Sequence, residues 1–384
     1  MDFSLTPEQK MIQDSVRKFA RERILPFSRE WDHAFKFPRE LINEMGRLGY
    51  LGVPVPEEYG GAGLDYISEA IVFEEIGYAD SSVRTTLSVQ MSLVELTILK
   101  WGTEEQKHHY LPRLCAGEWI GCFGLTEPNA GSDAGNVQTT ARRDGDDWIL
   151  NGQKTWISNG TWADMAIVFA QSQPGSKHRG MVAFLVDAVT PGYSTRKMTG
   201  KLGLHASDTG ELFFEEMRVP DSARLGQVGE GFKIAMSALD NGRYGVASGC
   251  VGTSQHALDA SVKYAKERIA FGKPIAGFQL VQDMLAQMKV DTEAARLLVY
   301  NAGWVKNQGQ VSTIPVSIAK YYAAEAAKRN ADMAIQVHGG YGFSDEYIPE
   351  RLWRDCRVAS LYEGTSQIQK LIIGRDLTGI SAFE

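Results

Sequence analysis

The apolar periodicity of this 384-residue chain changes twice, near Trp119 and again after the "GQVGEGF" run that begins at Gly226. Before the first change, Met11, Ile12, Val16, Phe19 and Ala20 recur at helical spacing. "PRELINEMGRLGYLG" and "ISEAIVFEEIGY" continue that spacing on either side of a Pro/Gly-rich loop, "VPVPEEYGGAGLDY". Between the changes, "TTARRDGDDWILNGQKTWISNG" alternates apolar and polar residues, with turns expected at Asp144-Gly145 and Asn151-Gly152. "DMAIVFAQS", "GMVAFLVD" and "GELFFEEMRVP" read as further strands of a mostly antiparallel sheet. After the second change, long helices are expected at about Gly231 to Glu267, Gln279 to Gln308, Ser317 to Val337 and Ile368 to Leu377. At roughly one domain per 150 residues, the length also exceeds one ordinary core. The layout is an α+β multidomain chain: helical over 1–118, β over 119–228, helical over 229–384.

Composition narrows the function classes. A net charge of −7 argues against nucleic acid as a partner. Cys115, Cys122, Cys250 and Cys356 contain no CxxC pair and read as reduced thiols, not as disulfides or a zinc site. There is no HExxH and no metal constellation, no GxxxxGK[ST] phosphate loop, no GxSxG elbow and no strand–GxGxxG–helix unit. A nucleotide cofactor, if bound, must use another architecture. No apolar run approaches transmembrane length. The N-terminus reads as a capped helix, with Thr6 as N-cap, Pro7 in the first turn and Gln9 closing a capping box. Thr103 caps another. These features suit a cytoplasmic protein if bacterial, or a mitochondrial matrix protein from which a targeting peptide has been removed.

Five segments carry candidate chemistry. "CFGLTEPNAGSDAG" (Cys122 to Gly135) is a loop rich in small and hydroxyl residues, suited either to a polar ligand or to a plain linker. In "NGQKTWISNG", Trp156 could cover a planar ring or fill a core. In "ERIAFGKPIAGFQ", Arg268 and Lys273 suit a helix C-terminus or a phosphate. "AIQVHGGYGF" has glycines that allow close backbone approach, with Gly339 also fit to end a helix. "LYEGTSQIQ" holds one acid, Glu363, ahead of a helix start for which Ser366 and Gln369 read as a capping box.

Taken in this order, "GLTEPNAGSD", "LNGQKTWISNG", "RIAFGKPI", "QVHGGYGF" and "YEGTSQIQ" resemble the acyl-CoA dehydrogenase family over essentially the whole chain. The resemblance implies an N-terminal helical domain, a middle β-barrel domain and a C-terminal four-helix bundle. It also implies FAD, a homotetramer and reoxidation by an electron-transfer flavoprotein. It carries flavin contacts to Phe123, Leu125, Thr126, Trp156 and Ser158, and places Ser132 between flavin and the acyl-CoA. Arg268, Gln279, Gln336, Val337, Gly339 and Gly340 are implied to hold the FAD pyrophosphate and adenosine, partly across a subunit interface, with Thr365 and Gln367 completing the set. Asp240 and Arg243 are implied to contact the CoA portion.

Glu363 matches the family's catalytic base. Some relatives carry that base at the position of Gly242, which is empty here. The α-proton of a thioester is very weakly acidic, so its removal needs a carboxylate held in contact in a site with little water. Apolar surroundings raise the pKa of such a base, while an adjacent helix start lowers it. The resemblance implies that the β-hydrogen leaves as hydride to the flavin, giving a trans-2-enoyl-CoA, and that Gly364 leaves room for the thioester. The substrate expected is a short or branched acyl-CoA. The alternative is glutaryl-CoA, because Arg84 and Tyr362 match the branch in which an arginine receives the distal carboxylate. One departure is Gly77, where decarboxylating members carry an acid. A pairing of Arg84 with a neighbouring acid, an acyl-carrier-protein substrate, an acyl-CoA oxidase and a non-enzymatic scaffold are the other readings.

Overall fold

The structure, a computed structural model, describes residues 4–382. The first domain holds α1 (Pro7–Phe19), α2 (Ser28–Ala34), α3 (Glu40–Arg47), α4 (Tyr66–Ala79), α5 (Ser81–Ser88), α6 (Leu96–Trp101) and α7 (Glu104–Cys115). The Thr6 hydroxyl accepts from Gln9 N at 3.2 Å and Thr6 N donates to the Gln9 side chain at 3.0 Å, the reciprocal cap the sequence predicts. Thr103 and Gln106 repeat it ahead of α7. Helices α5 and α6 are joined by a π-helical stretch, Val89–Glu95, so residues 81–101 form one continuous rod with a widened middle. Such widenings gather at functional sites.

The middle domain is one eight-stranded sheet. Its strands are β1 (Gly121–Gly124), β2 (Thr140–Asp144), β3 (Asp147–Ser158), β4 (Met165–Gln171), β5 (Met181–Asp187), β6 (Tyr193–Lys197), β7 (Thr209–Pro220) and β8 (Arg224–Leu225). They run in the order β6-β7-β3-β2-β4-β5-β8, and β1 adds to β4 in parallel. The outer strands β6 and β8 are not paired to each other, so hydrogen bonding does not close the expected barrel into a ring. Asp144-Gly145 is the turn of the β2–β3 hairpin. Asn151-Gly152 is not a turn. It lies inside β3 at a register shift against β7, where the strand bulges instead of reversing, and the missing side chain at Gly152 leaves room for Thr139, whose Oγ1 a Cβ would meet at 2.5 Å.

The third domain is built on α8 (Gly231–Glu267), which packs on α9 (Gln279–Asn307) and α10 (Thr313–His338), and on α4 of the first domain. The chain ends in α11 (Ile348–Cys356) and α12 (Ser366–Thr378), while β9 (Ile269–Ala270) and β10 (Lys273–Pro274) form a small hairpin after α8. The bundle core is alanine-rich, with Ala295, Ala302, Ala319, Ala323, Ala327 and Ala331 all buried. Small side chains there let the helices approach closely. All four cysteines are buried free thiols. Among the described residues, no helix is long and apolar enough to cross a membrane.

Candidate active site

Glu363 sits in the short turn between the Arg357–Ser360 helical turn and α12. Its φ is +53° and that of Gly364 is +89°, two successive left-handed residues. A glutamate in this conformation is strained, and the surroundings must hold it. Three side chains do so through the two carbonyls. Arg243 Nε donates to Glu363 O at 3.1 Å, and Lys320 Nζ donates to Gly364 O at 2.6 Å. Gln369 Nε2 donates to both, at 3.3 and 3.1 Å. Arg243 is in turn braced by Asp240 Oδ1 at 2.8 Å, and Thr313 donates to Asp240 Oδ2 at 2.6 Å.

The turn directs the Glu363 carboxylate onto α8 at Gly242. A Cβ at position 242 would lie 1.7 Å from Glu363 Oε2, so the missing side chain is the space the acid occupies. Oε2 is buried and has no hydrogen-bond partner among the described residues. Burial pushes the Glu363 pKa up to about 7, against the opposing pull of Lys320, Arg84 and Arg243. The competition left open by the sequence is thus won by desolvation. A carboxyl that ionises near neutrality, with an unpaired oxygen, is suited to proton abstraction.

Two details of this turn differ from expectation. The N-cap of α12 is Thr365, whose hydroxyl accepts from Ile368 N at 3.2 Å. Ser366 instead donates to Glu325 at 2.6 Å, and Gln369 points back to the base. Gly364 is required by its positive φ and by Gln369 Nε2, which a Cβ would meet at 2.6 Å.

Arg84, on α5, is 4% exposed. Its Nη2 donates to Tyr362 Oη at 2.7 Å, and its Nε has no hydrogen-bond partner among the described residues. No carboxylate of the described residues lies within ion-pair distance, so the expected pairing with a neighbouring acid does not form. Gly249 makes room for it, since a Cβ there would lie 2.5 Å from Arg84 Nε. A Cβ at Gly77 would meet Gly249 O at 2.7 Å, which leaves no space for an acid at that position. Tyr362 adjoins Glu363, so a buried cation without an ion-pair contact among the described residues stands beside the candidate base and draws its pKa down.

The middle domain supplies a second surface. Phe123 and Leu125 are buried at the end of β1, where Phe123 packs on Phe169 with centroids 4.9 Å apart. Thr126 O accepts from Thr155 N at 2.9 Å, tying the loop to β3. Below it lies a buried ion pair. Lys154 Nζ donates to Glu127 Oε1 at 2.7 Å and to Leu125 O at 3.3 Å. Glu127 also accepts from Gln138 N and Thr139 N at 2.5 and 2.9 Å, so one side chain closes both ends of the loop. On this clamped base Trp156 has φ +60° and is 60% exposed, with half-buried Ser158 two residues on and Ser132 exposed in the loop. An indole held out of the core by a fixed backbone fits a planar ring system such as a flavin.

A third group lies on the last domain. The Arg268 guanidinium is 5.8 Å from the Tyr341 ring, which joins the end of α8 to the glycine segment after α10. Gly339 ends α10 with φ +60°, Val337 is buried, and Gln336, Gly340, Gln279 and Gln367 are exposed. A Cβ at Gly339 or Gly340 would meet nothing within 4 Å, which leaves open ground for a bound group. Phe271 and Phe343 beside this region are 96% and 87% exposed.

The structure therefore brings Glu363, Gly364, Tyr362, Arg84, Arg243 and Asp240 into one cluster. Sequence reasoning missed Lys320, Gln369 as a brace, and the Lys154–Glu127 pair. Lys320 left a visible signal, a lysine within the apolar run "SIAKYYAA" of a buried helix.

Comparison with known proteins agrees with this arrangement. Family profiles described as the acyl-CoA dehydrogenase N-terminal, middle and C-terminal domains match residues 6–118, 122–217 and 229–378. A glutaryl-CoA dehydrogenase of Desulfococcus multivorans is 43% identical, with 99% of each chain covered. A chain in the solved structure of the electron-transferring flavoprotein of Acidaminococcus fermentans superposes with a TM-score of 0.97 at 44% identity, covering 98% of this chain and all of the other. The glutaryl-CoA dehydrogenase of Mycobacterium smegmatis in complex with FADH2 superposes with a TM-score of 0.95 at 39% identity, covering 99% and 97%. The chain belongs to the acyl-CoA dehydrogenase family, FAD-dependent flavoprotein oxidoreductases that act on acyl-CoA thioesters.

Proposed function

We propose that Glu363 is the base that removes the α-proton of an acyl-CoA, and that the acyl group carries a distal carboxylate received by Arg84. The observation that carries the substrate reading is the buried guanidinium of Arg84, whose hydrogen-bond partner is the Tyr362 hydroxyl and which makes no ion-pair contact among the described residues. Beyond the Coulombic pull of Glu363 and the hydrogen bond to Tyr362, this buried guanidinium is short of hydrogen-bond acceptors, and a carboxylate placed against it would supply charge-assisted hydrogen bonds. A dicarboxylic acyl-CoA such as glutaryl-CoA is the class that fits. The glycine at position 77 favours oxidation without decarboxylation.

FAD, when bound, supplies the acceptor for the hydride that leaves the β-carbon. Thr126, Trp156 and Ser158 would hold its ring, with Phe123 and Leu125 behind them, and Ser132 would lie between ring and substrate. Thr365 and Gln367 would complete those contacts. Arg268, Gln279, Gln336, Val337, Gly339 and Gly340 would receive its diphosphate and adenosine. The chain's own part is positional. Arg243, Lys320 and Gln369 keep the Glu363 turn in place, and Gly242 gives the carboxylate its berth. Glu363 would take the α-proton onto Oε2, its backbone N–H would face the thioester oxygen that gains charge, and burial of the carboxyl keeps water from it. Asp240 and Arg243 flank the CoA side. The exposed Arg268–Phe343 region supports a homotetramer in which that region meets a neighbouring copy, and an electron-transfer flavoprotein is the partner that takes the electrons onward. A cytoplasmic or matrix location suits four free thiols.

Anaerobic titration of the flavin with a panel of acyl-CoA esters tests the substrate reading. Glutaryl-CoA is expected to bleach the wild type, and Arg84→Met is expected to lose that response at least about a hundredfold while keeping butyryl-CoA turnover. Equal loss for both esters, or no response to glutaryl-CoA, would return the assignment to a short or branched acyl-CoA.

A further inference from the structure

Arg84 owes its place to a closed ring of contacts between α5 and the segment that carries Glu363. Asp80 is the N-cap of α5, and its Oδ1 accepts from Ser82 N at 2.7 Å and Val83 N at 3.0 Å. Its other oxygen, Oδ2, accepts from Arg351 Nη1 of α11 at 2.9 Å. The Asp80 and Arg351 side chains are 2% and 9% exposed, so this ion pair lies inside the protein. One turn along α5, Arg84 N donates to Asp80 O at 3.1 Å, and the Arg84 guanidinium reaches Tyr362. Past α11, the Arg357–Ser360 turn leads into Tyr362 and Glu363. The ring therefore runs Asp80, Arg84, Tyr362, Arg351. Its two cross-links join residues 271 and 278 apart in sequence, so no single helix forms either of them.

The ion pair acts on both sides of the Arg84–Tyr362 contact. An anion at a helix N-terminus satisfies the free N–H groups there and fixes where the first turn begins. Asp80 does this with one oxygen and anchors α11 with the other. Burial raises its pKa, and Arg351 is the largest influence holding it down. Arg84 has little else to direct it. Its stem runs past Gly249 of α8, where a Cβ would lie 2.5 Å from Cδ and Nε, and its hydrogen-bond partner among the described residues is Tyr362. A two-pronged contact with a carboxylate needs two guanidinium N–H groups aimed together. An alkyl end needs none.

We propose that Asp80 and Arg351 are positioning residues for substrate selection. Their ion pair aims the Arg84 guanidinium, and so favours acyl-CoA esters that end in a carboxylate over those that end in a methyl group. The inference rests on the reading that Arg84 receives a distal carboxylate, and asks neither Asp80 nor Arg351 to touch the substrate.

The test measures kcat and KM for glutaryl-CoA and butyryl-CoA in the wild type, Asp80→Asn, Arg84→Met and the double variant Asp80→Asn with Arg84→Met. Asp80→Asn keeps an oxygen for the α5 amides and removes the charge that Arg351 meets. Arg351→Lys, which keeps the charge and loses the fork, serves if Asp80→Asn does not fold. The glutaryl-to-butyryl ratio of kcat/KM is expected to fall about tenfold or more, the weakening of one hydrogen bond to a charged group. The fall should come through a higher KM for glutaryl-CoA, with butyryl-CoA turnover near that of the wild type. In the Arg84→Met background, Asp80→Asn should lower the ratio no further. An unchanged ratio, an equal loss for both esters, or a further fall in the absence of Arg84 overturns the proposal. A wild type that does not oxidise glutaryl-CoA, or an Arg84→Met variant that keeps the wild-type ratio, overturns the reading beneath it, which separates the two failures.

Discussion

Gly242→Ala is the smallest perturbation that addresses how the base is seated. The added methyl carbon would lie 1.7 Å from Glu363 Oε2, 2.5 Å from its carboxyl carbon and 2.7 Å from Leu93 Cδ2. Nonbonded carbon and oxygen atoms need over 3 Å, so the carboxylate must retreat by more than an ångström. It cannot do so through its backbone, which Arg243, Lys320 and Gln369 hold. The side chain must therefore rotate away from the position that faces substrate. A misplacement of about 1 Å costs on the order of a hundredfold in rate. Alanine is also the better helix former, by about 1 kcal/mol, so loss of α8 is not the expected cause. Stopped-flow measurement of anaerobic flavin bleaching by a saturating acyl-CoA reads the chemical step directly. We expect a rate lower by about two orders of magnitude, with FAD content unchanged. Wild-type bleaching in Gly242→Ala would refute the claim that this glycine exists to seat Glu363.

Three further outcomes follow from the same geometry. kcat/KM should rise with pH through about 7, as Glu363 ionises, while stability moves the other way: Glu363 and Glu69 have folded pKa values raised to about 7 from an ordinary 4.5, so the stability they contribute is fully present below about 4.5 and is lost as pH rises through 7. Opposed pH trends in rate and in urea midpoint check this. Lys320→Met removes a cation that lowers the Glu363 pKa and a donor to Gly364 O, so the acid limb of the rate profile should move to higher pH; an unmoved limb would count against it. Lys154→Met leaves Glu127 buried without its cation and should cost about 3–5 kcal/mol, read as a lower Tm and as weaker FAD rebinding to the apoprotein.

Periodicity located the three-part layout because half-buried strands and amphipathic helices expose their period directly, as in Asp147–Ser158 and Pro7–Phe19. It misread Asn151-Gly152, since the same dipeptide that makes a hairpin also makes a bulge, and only the partner strand decides. Glu363 was legible as a residue but not as a base with a raised pKa, because its desolvation comes from α8, about 120 residues away in sequence. The empty place at Gly242 was readable, and its meaning as a berth for the acid was not. Arg84 had no visible partner or lack of one until the fold kept the carboxylates of the described residues beyond ion-pair contact with it, leaving Tyr362 as its hydrogen-bond partner and Glu363 nearby. Glu69 and Glu95 look like ordinary helix-surface acids in "ISEAIVF" and "SLVELTI". Their burial is tertiary: Glu69 lies against Ser92 of the 81–101 rod, and Glu95 accepts from Cys115 of α7.

The central claim is that Glu363 takes the α-proton. Anaerobic mixing of Glu363→Gln with acyl-CoA tests it most directly, because the variant keeps the shape of the side chain and removes only its basicity. The ester should bind and perturb the flavin spectrum with near-normal affinity, while bleaching slows by about 100-fold to 10,000-fold. Bleaching at a rate close to that of the wild type would contradict the account.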